Sequence, residues 1–142
     1  MSRIKYILLF FIIVIASSCH KYYYDSDYPC AFCYTEEPYE GLLTIYLTID
    51  ENHKNIPIVI YDGLIEQGDT IWVDTANNAV YDILVPIDGN YTVTAEYTIE
   101  NKKVIAVDAA KVFMRRNNTD CEEECWVVFD GFIETELKYE EL

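Results

Sequence analysis

From Gly41 onward, apolar and polar residues alternate with a period of two. GLLTIYLTID puts Leu43, Ile45, Leu47 and Ile49 on one side and Thr44, Tyr46 and Thr48 on the other. Strands turn successive side chains to opposite faces, so the pattern predicts a half-buried strand. It returns along the chain. IPIVIYDG groups Ile56, Ile58 and Ile60, and AVYDILVPI groups Tyr81, Ile83, Val85 and Ile87. NYTVTAEYTIE sets Tyr91, Val93, Ala95, Tyr97 and Ile99 against Thr92, Thr94, Glu96 and Thr98. DTIWVDT is short and β-branched. KKVIAVDAA, KVFMR, WVVF and FIETELKY complete the series, the last two broken at Asp130-Gly131. No window carries a helical stripe.

Turn chemistry separates the runs: Asp62-Gly63, Gln67-Gly68-Asp69, Asn77-Asn78, Pro86 to Asn90, Glu100-Asn101 and Asp130-Gly131. Seven or eight short strands, with turns every eight to twelve residues or so, predict a single all-β domain, a sandwich or a barrel, and the expectation taken forward is the sandwich. There is no internal repeat.

The first forty residues have another texture. Arg3 and Lys5 precede the uncharged run Tyr6 to Ala16, and Ser17 and Ser18 follow. A basic start, an apolar middle and small residues at the end predict a secretory signal over residues 1–18. The run is short of the ~20 apolar residues a membrane span needs. Residues 19–40 carry Pro29, Pro38, scattered acids and many tyrosines without periodicity, and predict a tether. The sandwich then occupies 41–142. The formal charge of the whole chain is -15. Loss of Arg3 and Lys5 with the signal takes it to -15 - 2 = -17. A field of that sign disfavours nucleic acid and anionic lipid headgroups as partners.

Two stretches carry a resemblance. PIVIYDG, GDTIWVDT and VPIDGNYTVTAEY resemble the core of small immunoglobulin-like or transthyretin-like sandwiches, where a strand, a hairpin and a DGxYxV strand build one wall. AEYTIENKKVIAVDAAKV with CEEECW resembles small lipoproteins of Bacteroidota, over most of residues 30 to 137. That second resemblance implies an address and no activity. Ala16-Ser17-Ser18-Cys19 is similar to a relaxed bacterial lipobox. It implies cleavage before Cys19, a thioether-linked diacylglycerol and an acylated (palmitate-type) amino terminus, two or three chains being enough for stable anchoring. The implied location is the cell envelope, at the outer membrane, on its periplasmic or surface face. Asp69-Thr70-Ile71 and Asp74-Thr75-Ala76 are similar to the O-glycosylation motif of exported proteins in the same group, which makes Thr70 and Thr75 candidate acceptors.

Four cysteines remain: Cys30 and Cys33 as CxxC, and Cys121 and Cys125 as CxxxC. An exported chain sits where disulfides persist, and four is even, so the expectation is two structural bonds with three pairings open. In immunoglobulin-like sandwiches the first strand often runs parallel beside the last. That resemblance favours bonds crossing from the first pair to the second. A zinc knuckle pair needs thiolates that an oxidising compartment works against. A redox CAFC needs a lowered thiol pKa, and Glu36 and Glu37 raise one.

The inventory for catalysis is thin. The mature chain holds one serine, Ser26, and two histidines, His20 and His53. His53 in ENHKN reads as exposed polar surface. Asp25 with Asp27, or Asp120 with Glu122 to Glu124, supply hard oxygens without the spacing of a known calcium loop. The expectation is a non-enzyme with no cofactor and no metal: a lipid-anchored binding or structural accessory module with an envelope protein or glycan partner. Alternatives are an exported thiol-disulfide protein using CAFC and a carbohydrate-binding surface module. The binding readings require exposed rings outside the tether.

Overall fold

The computed structural model describes residues 33–117 and 123–138. It is all-β, as the alternation predicts. Eight strands follow in order: β1 (Glu40–Tyr46), β2 (Ile56–Asp62), β3 (Asp69–Ala76), β4 (Val80–Pro86), β5 (Gly89–Ile99), β6 (Lys102–Asn117), β7 (Cys125–Phe129) and β8 (Gly131–Glu134). KKVIAVDAA and KVFMR are one strand, because no turn residue separates Ala110 from Lys111. In FIETELKY only the start is strand. Thr135 and Leu137 beyond it are held by Thr135 N–H donating to the Tyr46 carbonyl (3.0 Å) and Leu137 N–H to Thr48 Oγ1 (2.8 Å).

Two sheets form the sandwich, in the orders β4-β1-β8 and β3-β2-β5-β6-β7. β1 runs antiparallel to β4 and parallel to β8. The wall implied by the resemblance is present, with the β2–β3 hairpin beside β5. In constant-type immunoglobulin domains the first two strands share a sheet. Here β1 and β2 lie in opposite sheets, so the strand order is not that one.

The inward residues of the alternating runs meet between the sheets. Leu43, Ile45, Ile58, Ile60, Val93, Ala95, Tyr97, Val112 and Ile133 are completely buried. Two tyrosines do more than fill space. Tyr91 Oη donates to the Pro86 carbonyl (2.6 Å), tying the start of β5 to the end of β4. This is the kind of tie a tyrosine corner makes. The ring folds so closely over the turn that a Cβ on Gly89 would lie 2.3 Å from Tyr91 Oη, which explains the glycine. Tyr97 Oη donates to the Thr135 carbonyl (2.8 Å) and accepts from Thr48 N–H (3.1 Å).

Between β7 and β8 the chain changes sheets. Asp130 Oδ1 accepts from Leu42 N–H (2.8 Å), and Gly131 sits where a Cβ would come within 2.7 Å of Leu43 Cδ1. The Asp-Gly pair is therefore a corner, not a hairpin turn.

Cys33 is bonded to Cys125 (S–S 2.06 Å), across 92 residues of sequence. Tyr34 pairs with Trp126 through two backbone hydrogen bonds (2.9 and 2.8 Å). The end of the expected tether is thus stitched to β7, and Ile87 N–H donates to the Tyr39 carbonyl (3.0 Å) as well.

Candidate functional site: the free edge at β3

β3 is built from a run in which every residue but the last is exposed. It lies at the end of its sheet, paired with β2 on one side; among the described residues no strand pairs with its other side. The register runs from Ile56 opposite Ala76 to Ile60 opposite Trp72, then shifts so that Tyr61 faces Thr70. Ile71 is the extra residue of that bulge, which bends the strand and leaves Trp72 to Ala76 as its regular stretch. Ile71, Trp72 and Val73 are 41%, 47% and 67% exposed.

Asn77 to Ala79 carry the chain from β3 straight to β4, the outer strand of the other sheet. The two outer strands therefore border one flank of the sandwich. Trp72 lies opposite Ile60, and Tyr81 opposite Ile45, so both side chains turn inward from their edges. They meet across the gap. Trp72 Nε1–H donates to Tyr81 Oη (2.9 Å), and Tyr81 Oη donates to Asp74 Oδ2 (2.6 Å). Thr75 N–H donates to Asp74 Oδ1 (2.7 Å).

These bonds fix the electrostatics. The Tyr81 hydroxyl, and after it the Thr75 N–H, hold the Asp74 carboxyl below the usual aspartate range. Burial, and then the hydrogen bond to Asp74, push the Tyr81 phenol up. The flank thus carries a firmly ionised carboxylate beside an indole ring whose orientation is set by its own N–H. No lysine, arginine or histidine occurs between Lys54 and Lys102, whereas Asp62, Glu66, Asp69, Asp74, Asp82, Asp88, Glu96 and Glu100 do. β2, β3 and β4 consequently present acids only. On the outer face, Val73, Val59, Thr94 and Val107 stand opposite one another across four strands, an uncharged row ending at the free edge.

Basic charge gathers elsewhere. Lys102, Lys103, Lys111, Arg115 and Arg116, five of the ten lysines and arginines, lie on β6. Lys111 and Arg115 sit 5.5 and 5.4 Å from the Phe113 ring, which stacks on Phe129 (centroids 4.6 Å apart). Phe132 is 62% exposed on β8.

The expected sites fall as follows. Thr70 and Thr75 are both on β3 and both exposed. Cys33 and Cys125 are bonded to each other, so Cys33 is engaged with β7 and not within CAFC. Cys19, Cys30 and Cys121 lie outside the described residues, as do His20, Ser26, Asp25, Asp27, Asp120, Glu122 and the tyrosines from Tyr22 to Tyr28. Glu124, the last of the acidic run Asp120 and Glu122 to Glu124, pairs with Arg116. His53 corrects the expectation of an exposed polar residue: it is 8% exposed. Asp50 accepts from Asn52 N–H, His53 N–H and the His53 ring, which folds the imidazole inward onto the Tyr97 ring (centroids 5.9 Å apart).

The β3 edge itself escaped sequence reasoning, because strand order is not written in alternation. Two signals point to it in retrospect: the unbroken apolar triplet Ile71-Trp72-Val73, and the absence of any base from Asn55 to Asn101.

No family model matches the chain, and neither a curated protein nor a solved structure matches it.

Proposed function

We propose that the protein is a lipid-anchored envelope module that binds a partner through the β3 flank and does no chemistry itself. The observation that carries this is the free edge at β3, with Ile71, Trp72 and Val73 open to solvent above the Trp72–Tyr81–Asp74 network. Side chains on both faces of this edge strand stay open to solvent, and aromatic residues are enriched where proteins bind. The anchor at Cys19 is the reading's other half, supported by the lipobox-like tetrad and by the crossed Cys33–Cys125 bond, which suits an oxidising compartment.

A photo-crosslinking amino acid in place of Val73, introduced in the native host, tests the reading. One stoichiometric envelope partner should be trapped there and not by the same residue in place of Lys102 on the β5–β6 hairpin. Monomer alone at both positions would sink it.

A glycan partner is the second reading, favoured by the half-exposed Trp72 ring beside Asp74 and the Tyr81 hydroxyl. Sugars stack on such rings while polar groups set their orientation. A glycan array probed with the protein and with Trp72→Ala separates it from the first.

A further inference from the structure

Resting on that binding reading, we infer that the β3 edge accepts an extended, basic peptide segment as an additional strand of the five-stranded sheet. A strand at a sheet edge displays a row of unpaired N–H and C=O groups, and natural edges are blunted with lysine, proline or a covering segment. β3 contains neither lysine nor proline. Its protective devices are the inward-facing Asp74, whose Oδ1 takes up the Thr75 N–H, and the bulge at Ile71; Trp72 to Ala76 stay regular, and among the described residues no strand covers them on that side. Main-chain hydrogen bonds would hold the incoming strand, and alternate side chains would give it specificity.

The two faces of β3 ask for different residues. On the outer face, Val73 ends the uncharged row of Val59, Thr94 and Val107, so the added strand would extend it with an apolar or β-branched residue. On the inner face stand Trp72 and Asp74. A lysine or arginine beside them meets the face of an indole and an ionised carboxylate together. Asp69, Asp62 and Asp82 add negative charge to the same flank, with no base on β2, β3 or β4. The chemistry therefore specifies alternating basic and apolar residues in an extended conformation.

Charge also decides against a second copy of this chain as the occupant. Two molecules at -15 each would bring Asp69 and Asp74 of one edge towards those of the other.

The test uses the whole chain in detergent and a fluorescent, end-capped hexapeptide alternating arginine and valine, read by anisotropy. Two control peptides accompany it. One replaces arginine with glutamate. The other keeps the sequence but is N-methylated at two adjacent central residues, which blocks both of its edges. The arginine–valine peptide should bind saturably, and both controls, like the Val73→Lys protein, should bind about tenfold or more weakly, a difference of about 1.4 kcal/mol. Val73 is exposed, so that variant keeps the fold, which circular dichroism verifies. Equal binding of the methylated peptide would mean charge attraction without strand addition, and equal binding of the glutamate peptide would mean no basic preference. Either result overturns the inference, and so does no binding at all. A dimer in sedimentation velocity that Val73→Lys abolishes would also overturn it, in favour of self-pairing. If the crosslinker at Val73 traps a partner while the arginine–valine peptide fails, the binding reading stands and only the basic-strand inference falls.

Discussion

The hydroxyl of Tyr97 on β5 lies 2.8 Å from the carbonyl oxygen of Thr135, 38 residues further along and across the sandwich. The Tyr97 hydroxyl oxygen also accepts a hydrogen bond from the Thr48 N–H at 3.1 Å. One completely buried phenol thus joins β5 to the segments leaving β1 and β8. Tyr97→Phe keeps the ring and removes the oxygen, leaving a backbone donor and a backbone acceptor without that partner. An unmet buried group costs about 1–3 kcal/mol, so losing both partners should cost about 2–6 kcal/mol. Urea unfolding should show a lower midpoint with an unchanged slope. A midpoint within experimental error of the parent would refute the role given to this hydroxyl.

The Cys33–Cys125 bond closes a span of 92 residues, and Tyr34 reinforces it by pairing with Trp126. In the chain-entropy account, a loop of that length stabilises by about 4 to 5 kcal/mol, because the unfolded chain loses freedom. The paired variant Cys33→Ala with Cys125→Ala should lose stability of that order. Its urea slope should rise, since the opened chain exposes more surface on unfolding. Non-reducing peptide mapping of the parent should recover Cys33 linked to Cys125. A Cys30–Cys33 peptide in its place would overturn the connectivity and revive CAFC as a local pair.

Much of this frame is legible in the alternation alone. Leu43 and Ile45, Ile58 and Ile60, and Tyr91, Val93 and Tyr97 are placed inward by a period of two, and the structure buries all of them. Local chemistry also announces the turn at Asp88-Gly89. Its reason, the Tyr91 ring closing on Pro86, needs three dimensions. Non-local facts escape. Asp130-Gly131 looks like a hairpin signal, yet it moves the chain between sheets, because Asp130 reaches Leu42 on β1. His53 looks exposed beside Lys54, yet Asp50 folds it onto Tyr97. DTIWVDT reads correctly as a strand, but nothing in seven residues says that it stands at an edge. The candidate site is therefore visible as residues and invisible as a surface until the sheet order is known.

Asp50 gives the fold an acid-sensitive corner. The hydrogen bond from the His53 ring, followed by the N–H groups of Asn52 and His53, holds its carboxyl below the usual aspartate range. A carboxyl depressed in the folded state stabilises the protein above its unfolded value, near 3.9 or so, and that contribution disappears as pH falls through the folded value. Acidification below about pH 4 should therefore lower the urea midpoint of the parent protein. Asp50→Ala should be less stable than the parent at neutral pH, and the gap between the two should narrow on acidification. Parallel curves for the two proteins across that window would show that Asp50 contributes nothing pH-dependent to the fold.

Thr70 and Thr75 stand on the same exposed strand as the candidate edge. Both follow an aspartate, in the tripeptides that resemble an O-glycosylation signal of exported Bacteroidota proteins. A glycan on either would also bear on binding. Side chains of a strand stand roughly perpendicular to its sheet, whereas the backbone groups that accept a new strand lie in the sheet plane. Thr75 lies opposite Pro57 and Thr70 opposite Tyr61, so each hydroxyl projects from a face and does not itself block the edge of Trp72 to Ala76. Modification and strand addition are thus compatible, and the glycan would narrow the approach to the edge direction. Protein taken from the native host should carry a mass increment on Thr70 or Thr75 that is absent after Thr70→Ala with Thr75→Ala. That double variant should still yield the Val73 cross-link, because it leaves the apolar row and the Trp72–Tyr81 contact in place. Unmodified peptides covering both threonines would remove the glycan from the account, and a cross-link lost with the hydroxyls would show that the partner reads the sugar and not the strand.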